Sequence, residues 1–519
     1  MCGILYISNT VGLDISNCVG LLNPRGPDST LVVKHGKSEF VFHRLSINDV
    51  SPSGMQPFET SEFIFMCNGE IYNHEFLKTK LKFPLQGASD CEIIPHLIKD
   101  FGPSTALSLI EGVFAFVYYD KLTDRTIVAR DRLGVKSLYK GVTTNHGIVI
   151  SSELKGLHSI CVECDIVPPC HYYDSVINQV TPYDSLDFDH MKPVSMTEAD
   201  IKLQIRSRLI EAVRVRCNTT DRPVGCFLSG GLDSSLVAAL VNKAIPGRIK
   251  TFSVGLPNAT DLLAARDAAA YIGSEHHELV VTEEDMISAI PMVIKRIESY
   301  DVTTVRASTP MVLLSDWIKK NFDTTVIFSG EGADELSGSY KYFNYSPSAD
   351  ATQRECVRLL KDLHMFDILR CDKSVSGSGL EARVPFLDFN FVNFYMRIDP
   401  SLKCNKIIEK RLLREAFVDD KLLPSHILFR KKEAFSDGCS SLDKSWFQII
   451  NDHCDRIIPD DQYNNNKGVF THNTPISKES YWYRIVFEHY YPGRSDTIPY
   501  LWLPKWTSIE HPPVSARLI

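Results

Sequence analysis

The chain opens Met1-Cys2-Gly3-Ile4, so a single methionine precedes a cysteine. Methionine is normally trimmed before a small residue, and trimming gives Cys2 a free α-amine. A thiol and an amine on one residue form a compact nucleophile–base pair. The amine has an ordinary pKa of about 7.7–8.0 and so accepts a proton near neutral pH. The thiolate it generates is the reactive form of cysteine. If Met1 stays, that base is lost.

A second constellation is Ser229-Gly230-Gly231-Leu232-Asp233-Ser234-Ser235. It follows the apolar run Val224–Leu228 and opens a helical stretch, Leu232–Ala244. Glycines let backbone approach a ligand closely, and the free N–H groups at a helix start receive phosphate. Three serine hydroxyls add donors, and Asp233 is the residue type that holds a magnesium ion bridging phosphates. The loop lacks the Gly-Lys-Ser/Thr ending of a Walker A loop, which favours pyrophosphate binding over γ-phosphate transfer.

These residues need scaffolds of different kinds. The first ~150 residues read as strands with a few helices. Glu62–Cys67 is a short apolar run ending at Asn68-Gly69, a pair that is also a strong hairpin signal. Gly112–Asp120, Arg125–Arg130 and Gly147–Ser152 read as further strands, and Asp90–Phe101 has helical spacing. The segment from about 159 to 195 reads as an irregular connector. From about Met196, helical patterns alternate with buried apolar runs, as in a mostly parallel sheet: helices at Ala199–Cys217, Asp285–Tyr300 and Thr309–Asn321, strands at Val224–Leu228 and Thr324–Phe328. The rest is mainly helical to about Tyr491, followed by a Pro-rich tail.

The 519 residues allow two large domains, and 44% hydrophobic with 23% charged residues is ordinary for a soluble globular protein. A net charge of −8 gives no general pull toward nucleic acid. The N-terminus has no secretory signal pattern, and no apolar run is long enough to span a bilayer. The 14 cysteines are scattered and read as reduced cytosolic thiols. Cys161-x-x-Cys164 lacks the second pair of a zinc site. Gly377–Ala382 fits a dinucleotide fingerprint without its strand context, and His276-His277-Glu278 lacks the second histidine of a zincin helix.

Ser229–Ser235 resembles the pyrophosphate loop of the ATP pyrophosphatase superfamily. With Ser329–Glu335 (SGEGADE), Glu298–Pro310 and Glu381–Asp388, it closely resembles the glutamine-hydrolysing asparagine synthetase family. Arg25–Asp28, Arg44–Ile47, Asn68–Asn73 and Ser89–Glu92 match that family's N-terminal half in order. The resemblance implies an α+β N-terminal nucleophile hydrolase-type sandwich over 1–190, a class II glutamine amidotransferase. It implies an α/β parallel-sheet ATP-pyrophosphatase (Rossmann-like) synthetase domain over 191–519.

It also implies residue roles. Cys2 attacks the glutamine amide, and Asn68 with the Gly69 N–H forms the oxyanion hole. Arg44 pairs with the glutamine α-carboxylate; Asn48, Glu70 and Asp90 complete the glutamine pocket. Leu228, Ser229, Gly230, Gly231, Asp233, Ser234, Ser235, Val254, Ser329, Gly330 and Lys432 hold ATP, and Asp233 and Asp334 hold Mg2+. Glu331 serves the adenylate or the incoming ammonia. Arg306 and Glu335 face aspartate, and Arg25 marks the entrance of an ammonia passage. The implied activity is cytoplasmic, ATP-dependent conversion of aspartate to asparagine with AMP and pyrophosphate as products. The expected partners are the small molecules glutamine, aspartate and ATP, with no nucleic acid, no membrane, and a homodimer as the assembly considered. The alternatives are an adenylating amidotransferase with another carboxylate acceptor, a β-lactam-forming relative, and a catalytically silent ligand-binding relative. The chain departs from the family at Ser137, where proline is usual, at Cys170, where glycine is usual, and at Gly338-Ser339, where two glycines are usual. His43 stands where Glu or a similar residue is common, and the stretch between Cys2 and Arg25 is a few residues short.

Overall fold

The computed structural model describes all residues except 83–84, 86, 187, 189–191, 404–406 and 507–519. The expected boundary at 190/191 and much of the Pro-rich tail lie outside the described residues. The chain divides into two compact units: 1–186 with 219–223 and 375–381, and the remainder.

The first unit carries two six-stranded sheets. One runs, edge to edge, Cys161–Ile166, Tyr139–Thr143, Ile148–Ser151, Gly3–Ile7, Ser38–Arg44, Ser29–His35; the other runs Gln179–Pro182, His171–Asp174, Arg125–Arg130, Gly112–Asp120, Phe63–Ile71, Phe58–Glu59. The side-chain alternation of a strand sorts Phe63–Ile71 onto two faces. Ile64 and Met66 join Ile4, Tyr6, Phe40 and Phe42 in a core between the sheets. Phe63, Phe65 and Cys67 turn the other way and pack on Ile93, Ile94 and Leu97 of the helix Ile93–Phe101. Each sheet strand is thereby fixed in register, because a one-residue slip would exchange the two cores.

Two expectations need correction here. The strand does not end at Asn68-Gly69: it continues to Ile71, with Asn68 opposite Ala115 and Gly69 opposite Phe114. Pairing with the long strand Gly112–Asp120 overrides the local turn signal. The segment 159–195 is not wholly irregular either. It contributes the strands Cys161–Ile166, His171–Asp174 and Gln179–Pro182, short pieces whose apolar alternation is too brief to show in sequence. Cys161 and Cys164 are both buried in the first of these. Cys170 adopts φ 62°, the left-handed region that favours the glycine it replaces.

The second unit is built on a five-stranded sheet ordered Glu275–Val280, Lys250–Gly255, Val224–Phe227, Val326–Phe328, Glu381–Arg383. The first four strands pair in parallel. Helices connect and cover them, including Glu198–Asn218, Leu232–Ala244, Thr260–Ile272, Glu283–Ile297 and Val302–Asn321. The last of these begins seven residues before the expected Thr309, because Asp301 caps it by accepting the Thr304 N–H. Ligands of such sheets bind beyond the carboxyl ends of the strands. Both Ser229–Gly231 and Ser329–Gly332 lie there, directly after adjacent parallel strands. Among the described residues no helix is long and apolar enough to cross a membrane.

Candidate functional site

In the first unit, Cys2 sits immediately before the central strand Gly3–Ile7. Its neighbour strand Ser38–Arg44 ends in Arg44, and Phe63–Ile71 supplies Asn68, Gly69 and Glu70. One cavity is lined by Cys2, Arg44, Asn48, Gly69, Glu70 and Asp90, which come from four separate stretches of sequence.

Hydrogen bonding explains how each is held. The Cys2 N–H donates to Asn68 Oδ1 at 2.9 Å, and its Sγ lies 3.7 Å from the Leu45 carbonyl. In the full chain this nitrogen is an amide. Asn68 is fully buried and its Nδ2 has no hydrogen-bond partner. A buried, unpaired amide donor costs free energy unless a ligand completes it. Burial pushes the Cys2 thiol above its ordinary pKa, so ionisation there needs a base. Arg44 is buried, and its guanidinium donates to the backbone carbonyls of Ser51 at 2.8 Å and of Asp49. Both acceptors are neutral carbonyls, so neither hydrogen bond cancels the guanidinium charge. Asp90 Oδ2 accepts the Ile71 N–H at 2.6 Å, which ties the turn Asp90–Glu92 to the strand end beside Glu70. Gly69 is required by space: a Cβ there would lie 2.6 Å from the Val113 carbonyl. Arg25 does not line this cavity; its guanidinium donates to the Cys2 carbonyl at 3.1 Å and to Glu153 at 2.8 Å.

In the second unit a cavity of about 270 Å³ opens at the strand ends. Leu228, Ser229, Gly231, Asp233, Ser234, Val254, Ser329, Gly330, Glu331, Asp334 and Lys432 all line it. Gly230 and Ser235 do not. Gly230 adopts φ +71° against the backbone of Ala264 and shapes the turn, while Ser235 is fully buried in the helix. The Ser234 hydroxyl accepts the Ser229 N–H at 3.1 Å and closes the loop on itself. Ser253 donates to the Leu228 carbonyl, pinning the loop's first residue to the neighbouring strand.

The charged groups form three sets. Lys410, absent from the sequence expectations, bonds both Asp233 and Asp334, and Lys432 takes the other Asp334 oxygen at 2.5 Å. Against the burial that would raise it, the two ammoniums hold the Asp334 carboxyl well below the carboxylate range. Arg370 donates at 2.8 Å to both Glu331 and Asp367. Burial raises Glu331 above its ordinary pKa, with Arg370 opposing. Arg430 bonds Asp261 at 3.0 Å and reaches the Ser229 carbonyl at 3.3 Å. Arg306 lines the cavity but forks onto Glu479, both groups being buried, so its charge is already compensated. Glu335 lies outside the lining and accepts the Tyr340 hydroxyl.

Lys410 and Arg370 carried no local signal: they lie 177 and 39 residues from Asp233 and Glu331, and each reads as part of an ordinary charged helix. Among the described residues no group of three or more metal-ligating side chains gathers. The site nevertheless fits a magnesium ion, which takes one or two carboxylates plus phosphate oxygens and water. Asp233 Oδ1 is buried without a hydrogen-bond partner, and Asp233 and Asp334 already converge on one cation.

Comparison with known proteins covers both units. A family model described as a glutamine amidotransferase domain matches residues 1–193, and one described as asparagine synthase matches 204–352 and 344–510. Asparagine synthetase [glutamine-hydrolyzing] of Rattus norvegicus is 40% identical over 555 residues, covering 100% of this chain and 98% of its own. The Homo sapiens protein of that name is 39% identical over 556 residues, with the same coverage. The Gallus gallus protein is 40% identical over 556 residues, again covering 100% and 98%. The chain belongs to the glutamine-hydrolysing asparagine synthetase family.

Proposed function

We propose that this enzyme makes asparagine from aspartate, glutamine and ATP through two half-reactions. The observation that supports the reading is that each unit has its own cavity lined by groups suited to one half-reaction.

In the first unit, loss of Met1 converts the Cys2 amide into an amine that takes the thiol proton. The thiolate attacks the glutamine side-chain amide carbon. Asn68 Nδ2–H and the Gly69 N–H receive the developing oxyanion, and ammonia leaves as the thioester forms. Water then cleaves the thioester to glutamate. Arg44 binds the substrate α-carboxylate through its guanidinium charge. Asp90, with Glu70 and Asn48 beside it, takes the α-ammonium end.

In the second unit, ATP places its pyrophosphate on the loop Ser229–Ser234 and its base against Leu228 and Val254. Asp233 and Asp334 would hold Mg2+, which when bound supplies positive charge for the phosphate oxygens. An aspartate side-chain oxygen attacks the α-phosphorus, and the P–O bond to pyrophosphate breaks. Lys432 neutralises the departing pyrophosphate. Ammonia attacks the resulting acyl carbon, AMP leaves, and asparagine remains. Glu331, with a pKa raised by burial, is suited to take the proton shed by the attacking ammonia. Arg306, held by Glu479, acts as packing at the cavity wall, and the aspartate carboxylates are left to other cations that line the cavity.

Pyrophosphate release with Mg-ATP and aspartate, driven by either glutamine or ammonia, tests the whole reading. Asparagine is expected from both donors in the wild type and only from ammonia in Cys2→Ala. Absence of aspartate-dependent pyrophosphate with either donor would overturn it.

A further inference from the structure

Lys410 is a buried ammonium in a position a surface lysine would not choose. Its side chain is 1% exposed. Its backbone adopts φ 58°, in the left-handed region, at the entrance to the helix Arg411–Ala416. Its Nζ bonds one oxygen of Asp233 and one of Asp334, the latter at 2.7 Å. The second oxygen of Asp334 belongs to Lys432, and the second oxygen of Asp233 is buried without a hydrogen-bond partner.

The charges of this cluster are balanced: two carboxylates against two ammoniums. A divalent cation added to it would leave two excess positive charges in a buried site, where like charges interact strongly. A divalent cation added together with a pyrophosphate group would not, because the phosphate oxygens can receive the lysines. An ammonium has no acceptor capacity and is mobile on a four-carbon stem, which suits it to transfer from carboxylate to phosphate.

We propose that Lys410 holds the place between Asp233 and Asp334 that the divalent cation takes, and so makes cation binding contingent on phosphate. This rests on the reading that these two aspartates carry the metal. Lys410 is thereby a positioning residue: it keeps both carboxylates converged in the free enzyme and moves onto phosphate when the nucleotide arrives. The free enzyme then resists loading with metal alone, and ATP and metal enter as a pair.

The test is retention of Mn2+ by the full chain in equilibrium dialysis, with and without inorganic pyrophosphate. For the wild type, affinity at least tenfold tighter with pyrophosphate is expected. Lys410→Met, which removes the charge and keeps the length, should bind Mn2+ alone at least tenfold tighter than the wild type. Lys410→Arg, which keeps the charge, should stay weak. Wild-type protein that binds Mn2+ as tightly alone as with pyrophosphate would overturn the proposal, and this needs no variant. A folded Lys410→Met that binds Mn2+ no tighter than wild type would also overturn it. If Asp233→Asn and Asp334→Asn both retain Mn2+ fully in the presence of pyrophosphate, the metal assignment itself fails and the proposal falls with it.

Discussion

The Asn68 side chain divides its amide between two tasks: Oδ1 accepts the Cys2 N–H at 2.9 Å, and Nδ2 remains a buried donor without a partner. One end of the group locates the nucleophile and the other is kept ready for charge. Replacing Asn68 by Ala removes both. Loss of a single oxyanion donor typically lowers kcat by about 10²–10³. The expected result is a drop of that size in glutamine hydrolysis with ammonia-driven synthesis intact. Glutaminase turnover at the wild-type level in Asn68→Ala would remove Asn68 from the reaction.

The phosphate loop depends on Gly230, whose φ of +71° and proximity to Ala264 leave no room for a side chain. An added Cβ would lie 2.4 Å from the Ala264 backbone carbon. Strain of this type costs roughly 1–3 kcal/mol, and the close contact adds to it. Gly230→Ala should therefore lower the thermal midpoint and abolish ATP-dependent pyrophosphate release, while glutamine hydrolysis by the first unit persists. A variant that still releases pyrophosphate normally would show that the loop tolerates another shape.

Arg306 and Glu479 form a buried fork-to-carboxylate pair, and Arg306 also lies 4.6 Å over the Phe447 ring. Breaking such a pair strands a buried charge, at a cost of about 3–5 kcal/mol. Arg306→Met and Glu479→Gln should be similarly destabilised in denaturant titrations. Glu479→Gln should leave the KM for aspartate close to wild type in the folded fraction. If Arg306→Met raises that KM strongly with unchanged stability, the arginine serves substrate after all.

The physics of these examples also explains what could be read from sequence. The loop Ser229–Ser235 and the helix Leu232–Ala244 were legible because glycine, serine and helix periodicity act locally. Gly112–Asp120 and Arg125–Arg130 were legible because both faces are buried or alternate cleanly. Asn68-Gly69 misled as a strand end, because a strand partner 45 residues away decides its conformation. Lys410 and Arg370 were invisible, since a charged residue shows its importance only when folding removes its water. Family likeness assigned Arg306 to the aspartate carboxylate, a role that takes no account of Glu479, which pairs with it from 173 residues away.

Asp261 gives a pH-dependent test of the site's electrostatics. Burial raises its carboxyl to about 7, with Arg430 opposing and Glu433 adding to the rise. In the unfolded chain it ionises near its ordinary value of 3.8. Between those values the native state holds a proton that the unfolded state has lost. Native stability from this group is therefore unpenalised below about pH 4 and falls as pH rises toward 7, by at most about 1.4 kcal/mol per pH unit. Above pH 7 the penalty is constant. Asp261→Asn keeps the shape and cannot ionise, so it escapes the penalty. Its stability relative to wild type should climb between pH 4 and 7, by about 4 kcal/mol as an upper bound, and level off beyond. Chemical denaturation across that range reads the difference directly. A difference that is flat with pH would mean that Asp261 stays ionised on Arg430, and that the guanidinium reaching the Ser229 carbonyl is permanently neutralised.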